Sequence, residues 1–137
     1  MYPAELTARM AQELENIGFK SLKTEADVDA ALDNVEGTTL LVVNSVCGCA
    51  AANARPGAYY SLQGDKKPDH LTTVFAGVDK DATEKAREYL LPYPPSSPSI
   101  ALFKDGRLVH FLERHHIEGR SADIIAANLK MAYERYC

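Results

Sequence analysis

Apolar residues first recur at helical spacing near the start of the chain. Leu6, Met10, Leu14 and Ile17 form a stripe along one face of a helix predicted over Pro3 to Asn16. Pro3 suits a first turn and Gly18 a C-terminal stop. Phe19 to Leu22 then reads as a short strand. Thr24, with Asp27 three residues on, predicts a capped second helix whose inner face is Val28, Ala31, Leu32 and Val35, closed by Gly37. The pattern changes at Thr39 to Asn44, where Leu40, Leu41, Val42 and Val43 are apolar on both alternations. A strand buried on both faces reads this way. Two cysteines, Cys47 and Cys49, follow around Gly48, and then AAANA, a strong helix former.

The chain continues in the same grammar. The helix after Cys49 contains Pro56, which removes the bond to the Ala52 carbonyl and predicts a kink. GDKKPDH is a surface loop, Leu71 to Val78 a second buried strand, and Asp79 or Asp81 caps a helix to about Leu91. After YPPSSPS come strands Ile100 to Lys104 and Arg107 to Arg114. Asp105-Gly106 joins them, the strongest hairpin signal in the chain. A last helix runs from Ser121 to about Tyr136, with Ile125, Leu129 and Ala132 inward. Alternating βα units ending in a hairpin and a helix predict an α/β fold. It has a central mixed sheet flanked by helices, a thioredoxin-like plan with an extra N-terminal helix, in one domain over residues 1–137.

Composition changes this picture little. The length, 137 residues, supports a core without disulfide staples, and the net charge of −4 with no basic stripe argues against a nucleic-acid partner. No apolar run approaches a membrane span, and the N-terminal pattern is amphipathic rather than a signal peptide. A cytoplasmic protein is expected. Three cysteines in a reducing compartment are not a disulfide framework and point to catalysis, to metal binding or to nothing in particular.

The chemistry is expected where the buried strand meets the helix. A thiol at a helix N-terminus lies at the positive end of the dipole, which favours its thiolate. Cys47 is expected to be exposed and to attack, and Cys49, already in the helix, to be more covered. A disulfide between residues i and i+2 closes a smaller ring than CxxC does, so it should be easily reduced. Asn44 and Ser45 are expected to support the turn through local bonds. Arg55 reads as a solvated helix charge, with contact to a substrate carboxylate as the alternative. His115 and His116, adjacent on an extended chain, point in different directions, so no metal site is expected there. Cys137 is expected to be mobile and exposed.

The segments NSVCGCA, ARPG, KPDHLTTVFAGVDK, YPPSSPS and FLERHHIEG together resemble the bacilliredoxin family, over nearly the whole chain. The resemblance implies a thiol–disulfide oxidoreductase with disulfide isomerase activity, linked to removing bacillithiol from protein cysteines. It implies Cys47 as nucleophile and Cys49 as partner. It also implies a cis peptide at Ser97-Pro98, exposing the Ser97 backbone to an extended substrate. No cofactor is expected beyond an external small thiol as co-substrate. Expected partners are protein mixed disulfides and that thiol, for a monomer or weak dimer. Two alternatives stand: a general protein disulfide isomerase, and a metal or Fe–S carrier using the CxC thiols.

Overall fold

The computed structural model describes residues 3–46 and 48–137. Eleven elements follow one another: α1 (Ala4–Glu15), β1 (Lys20–Ser21), α2 (Glu25–Leu32), β2 (Thr38–Asn44), α3 (Gly48–Ser61), β3 (His70–Phe75), α4 (Lys80–Glu88), β4 (Ser99–Lys104), β5 (Arg107–Leu112), α5 (Arg114–Ile117) and α6 (Ala122–Tyr136). The five strands form one sheet in the order β1-β3-β2-β4-β5. β1 and β2 run parallel to β3, while β4 runs antiparallel to β2 and β5 antiparallel to β4.

The double apolar alternation of β2 explains the layering. Leu40 and Val42 point into a core shared with Leu14, Ala54, Ala58, Ile125, Leu129 and Tyr133. Leu41 and Val43 point the other way, against Val28, Leu32, Ala82, Ala86 and Leu90. So α1, α3 and α6 cover one face and α2 and α4 the other. β4 repeats the rule, with Ile100 and Leu102 on the first face and Ala101 and Phe103 on the second. All seven residues of β2 are buried, which makes it the axis of the molecule.

Local signals hold where their chemistry is self-contained. Thr24 accepts from the Asp27 N–H at 3.1 Å while the Asp27 carboxylate accepts from the Thr24 N–H at 3.3 Å, a complete capping box. Ser121 caps α6 through the Ile124 N–H. Asp105 and Gly106 both adopt positive φ, 51° and 81°, as the hairpin requires. α3 continues past Pro56 to Ser61.

Beyond shifts of a single residue, four C-terminal boundaries fall short of expectation. α2 ends at Leu32, not at Gly37, because Asp33 is extended and Asn34 turns left-handed at φ 53°. Short polar side chains tolerate that conformation and end helices. β3 ends at Phe75 because Gly77 turns the chain at φ 84°. α4 stops at Glu88, short of Leu91. β5 ends at Leu112, and Arg114 starts a four-residue helix instead of continuing the strand.

Candidate functional site

The site lies at the C-terminal end of β2. Val43 pairs with Ser99 across the antiparallel ladder, which puts Ser97 and Pro98 beside the segment Asn44–Val46 from which the turn departs. The Ser97–Pro98 peptide is cis, and so is Leu91–Pro92, which the sequence did not single out. Gly48 opens α3 with φ 52°, and its N–H donates to the Val46 carbonyl at 2.9 Å. The positive end of the α3 dipole therefore begins at the residue between the two cysteines. Cys47 lies outside the described residues, and with it the expectation about which thiol is exposed.

Asn44 and Ser45 are both buried, at the point where the chain leaves β2. The Asn44 side-chain carbonyl accepts from the Ser45 N–H at 2.9 Å, and its amide donates to the Met10 carbonyl at 3.2 Å. The Asn44 backbone carbonyl accepts from the Ala76 N–H at 3.0 Å. One asparagine thus ties the end of β2 to α1, to the chain beyond β3 and to its own successor.

Arg55 is not a solvated helix charge. It is 8% exposed. Its Nη1 donates to Asn44 Oδ1 at 3.1 Å and to the Ser45 carbonyl at 2.9 Å, and its Nε to Glu13 Oε2 at 2.6 Å. The reading failed because α1, far away in sequence, packs over this face of α3 and brings Glu13 with it. Two turns into the helix, a buried cation holds the strand end from which the turn leaves. Asn44 also lines a small cavity of about 140 Å³ with Glu15, Lys23, Thr73 and Asp79. Burial pushes the Asp79 carboxyl above its ordinary value, and the Lys23 charge pulls it partway back.

A second arginine was missed altogether. Arg114 Nη1 donates to the Ser97 carbonyl at 3.1 Å, and the Arg114 N–H to Ser96 Oγ at 3.4 Å. Reading residue 114 as the end of a strand hid it. The histidines next to it also need correction. They lie on α5, not on an extended chain, with ring centroids 4.0 Å apart. Glu113, His115 and His116 bring ligand atoms within 4.8 Å of one another. His116 Nδ1 accepts the Glu113 N–H at 3.1 Å to cap the helix. That bond occupies the Nδ1 lone pair and leaves the proton of a neutral ring on Nε2, so neither nitrogen is available to a metal while the cap stands.

Cys137 is exposed, and its thiol donates to Thr38 Oγ1 at 3.6 Å. Burial is the main influence pushing this thiol's pKa up. Thr38 and Asn44 bound β2, so at about 3.3 Å per residue the two ends are roughly 20 Å apart. A disulfide needs its Cα atoms within about 7 Å. Cys137 is therefore remote from the strand end that carries the turn.

Among the described residues no helix is long and apolar enough to cross a membrane. The chain matches the family model described as "Disulphide isomerase" over residues 2–137. It is 63% identical over 134 residues to a bacilliredoxin of Cytophaga hutchinsonii, covering 98% of each chain. It is 54% identical over 136 residues to one from Halalkalibacterium halodurans, covering 99% of this chain and 94% of that one. A bacilliredoxin of Salinibacter ruber is 53% identical over 138 residues, with 99% and 81% covered. In structure the chain is similar to oxidised thioredoxin O2 of Arabidopsis thaliana, with a TM-score of 0.56, 17% identity, and coverage of 86% of this chain and 96% of that one. That likeness establishes the thioredoxin-like fold. The chain belongs to the bacilliredoxin family of thiol–disulfide oxidoreductases.

Proposed function

We propose that the protein removes a low-molecular-weight thiol such as bacillithiol from protein cysteines, acting in the cytoplasm through Cys47 with Cys49 as partner. What supports the reading is Gly48 at the N-terminus of α3, in a turn that leaves β2 beside Ser97–Pro98. A cysteine next to that glycine meets the dipole's positive end, where a thiolate is favoured.

The Cys47 thiolate attacks the small thiol's sulfur in the mixed disulfide. A disulfide forms between Cys47 and the small thiol as the old bond breaks. The electron pair leaves with the protein sulfur, which takes a proton from solvent, so the substrate cysteine is freed without net oxidation or reduction. For recycling, an external thiol attacks the Cys47 adduct and leaves in a mixed disulfide with the small thiol, or Cys49 attacks first, releasing the small thiol and forming a Cys47–Cys49 disulfide that the external thiol then reduces. The co-substrate is that external thiol, with no resident cofactor.

The description of the matching family model favours a second reading, general disulfide isomerisation. Incubating the protein with a reporter bearing one small-thiol adduct, and weighing both proteins, tests the first. Adduct mass should move from reporter to enzyme. Scrambled-disulfide refolding with no such transfer would leave isomerisation instead.

A further inference from the structure

Resting on that reading, the surroundings of Ser97–Pro98 bear on the kind of adduct the site prefers. An extended peptide lying beside Pro98 would pair with the backbone of Ser97. The Ser97 carbonyl already accepts from Arg114 Nη1 at 3.1 Å. The arginine is held there from several sides. Its own N–H donates to Ser96 Oγ at 3.4 Å, and its carbonyl accepts the Glu118 N–H at 2.8 Å. Its Nε meets Glu118 Oε2 at 3.4 Å. Ile117, fully buried, pins α5 to the core.

The Arg114 side chain is 39% exposed and the Glu118 side chain 62%. A partly exposed cation thus stands on the Ser97 carbonyl, the acceptor an extended peptide would use. Its intramolecular carboxylate partner is a weak surface pair, readily exchanged. A peptide must displace the guanidinium from Ser97. A small thiol carrying its own carboxylate need not, and it offers the planar acceptor an arginine fork matches best.

We infer that Arg114 is a specificity residue that biases the site beside Ser97–Pro98 toward mixed disulfides of carboxylate-bearing small thiols, over neutral small thiols and over extended peptides. The carboxylate takes the place of Glu118 on the guanidinium while the sulfur reacts at the turn.

The test uses the full chain and a reporter protein with one surface cysteine, carrying N-acetylcysteine or 2-mercaptoethanol in mixed disulfide. Each transfer rate is divided by that of dithiothreitol on the same adduct, which removes intrinsic reactivity. The native protein should prefer the anionic adduct about three- to tenfold at low salt, and less at 0.5 M salt. Arg114→Gln should bring the ratio to about one, Arg114→Lys should keep part of it, and Glu118→Gln should raise it. With a disulfide-linked extended peptide, Arg114→Gln should raise the rate relative to the neutral adduct. A purely structural role would slow all substrates together and leave the ratios where they were. An unchanged ratio in Arg114→Gln, or equal rates for both adducts in the native protein, overturns the inference and leaves the exchange reading intact. Transfer of neither adduct overturns the exchange reading, and this inference with it.

Discussion

Replacing Arg55 with methionine removes the buried cation under the turn while keeping an apolar stem of similar length. Two bonds are lost at the strand end, to Asn44 Oδ1 at 3.1 Å and to the Ser45 carbonyl at 2.9 Å. Hydrogen bonds to charged groups contribute about 1.5–3 kcal/mol each. Asn44 Oδ1 keeps the Ser45 N–H, so its loss belongs at the low end. The third contact, to Glu13, involves a carboxylate side chain that is 56% exposed, which limits it to about 1 kcal/mol or less. Relief of guanidinium desolvation offsets part of the sum. The expected net loss is about 2–4 kcal/mol. In urea, with a slope of about 2 kcal/mol per molar, the midpoint should fall by about 1–2 M. Arg55→Lys should lie in between, because one ammonium cannot reproduce the fork. Glu13→Gln should cost about 1 kcal/mol or less. A shift below about 0.5 kcal/mol in Arg55→Met would refute the reasoning, as would Glu13→Gln matching it, since the surface pair would then carry the effect.

Three further outcomes follow from other parts of the molecule. A Cβ on Gly57 would meet Ile125 Cγ2 at 2.7 Å, so Gly57→Ala should push α3 from α6 and cost about 1–3 kcal/mol in denaturant titration. Burial pushes the Tyr133 phenol above its ordinary value. The fold therefore favours the neutral ring, a contribution fully present below about pH 10 and lost as pH rises beyond it. Tyr133→Phe should cost about 0.5–1.5 kcal/mol at pH 7 through the lost Ser61 bond, yet lose less stability than the native protein between pH 9 and 11. Finally, pH-dependent alkylation should give Cys47 a pKa below the free-thiol value of about 8.5; a value at or above it would remove the dipole argument.

What the sequence made legible were features settled within a few residues of chain. The double alternation of β2, the Thr24–Asp27 box and the Asp105–Gly106 turn each contain their own physical cause. The turn after β2 was legible for the same reason, a buried strand running directly into a helix. The misread residues take their roles from distant partners. Arg55 looks like any helix cation until α1 brings Glu13 against it, 42 positions away. Arg114 continues an apolar strand pattern until Glu113 caps a new helix and Ser97 offers a carbonyl 17 positions away. Long polar side chains report their surroundings poorly, since the same residue serves a wet surface or a buried acceptor.

The proposed exchange requires that Cys47 attack and that Cys49 serve afterwards. Its most direct test is intact-mass spectrometry of Cys47→Ser and Cys49→Ser, each incubated with a reporter protein carrying a single small-thiol adduct. Cys49→Ser should gain the mass of the adduct and hold it as the reporter loses it, whereas Cys47→Ser should gain nothing. Uptake by Cys47→Ser with none by Cys49→Ser would reverse the two roles. Uptake by neither, with scrambled-disulfide refolding intact in both, would contradict thiol attack at this turn altogether.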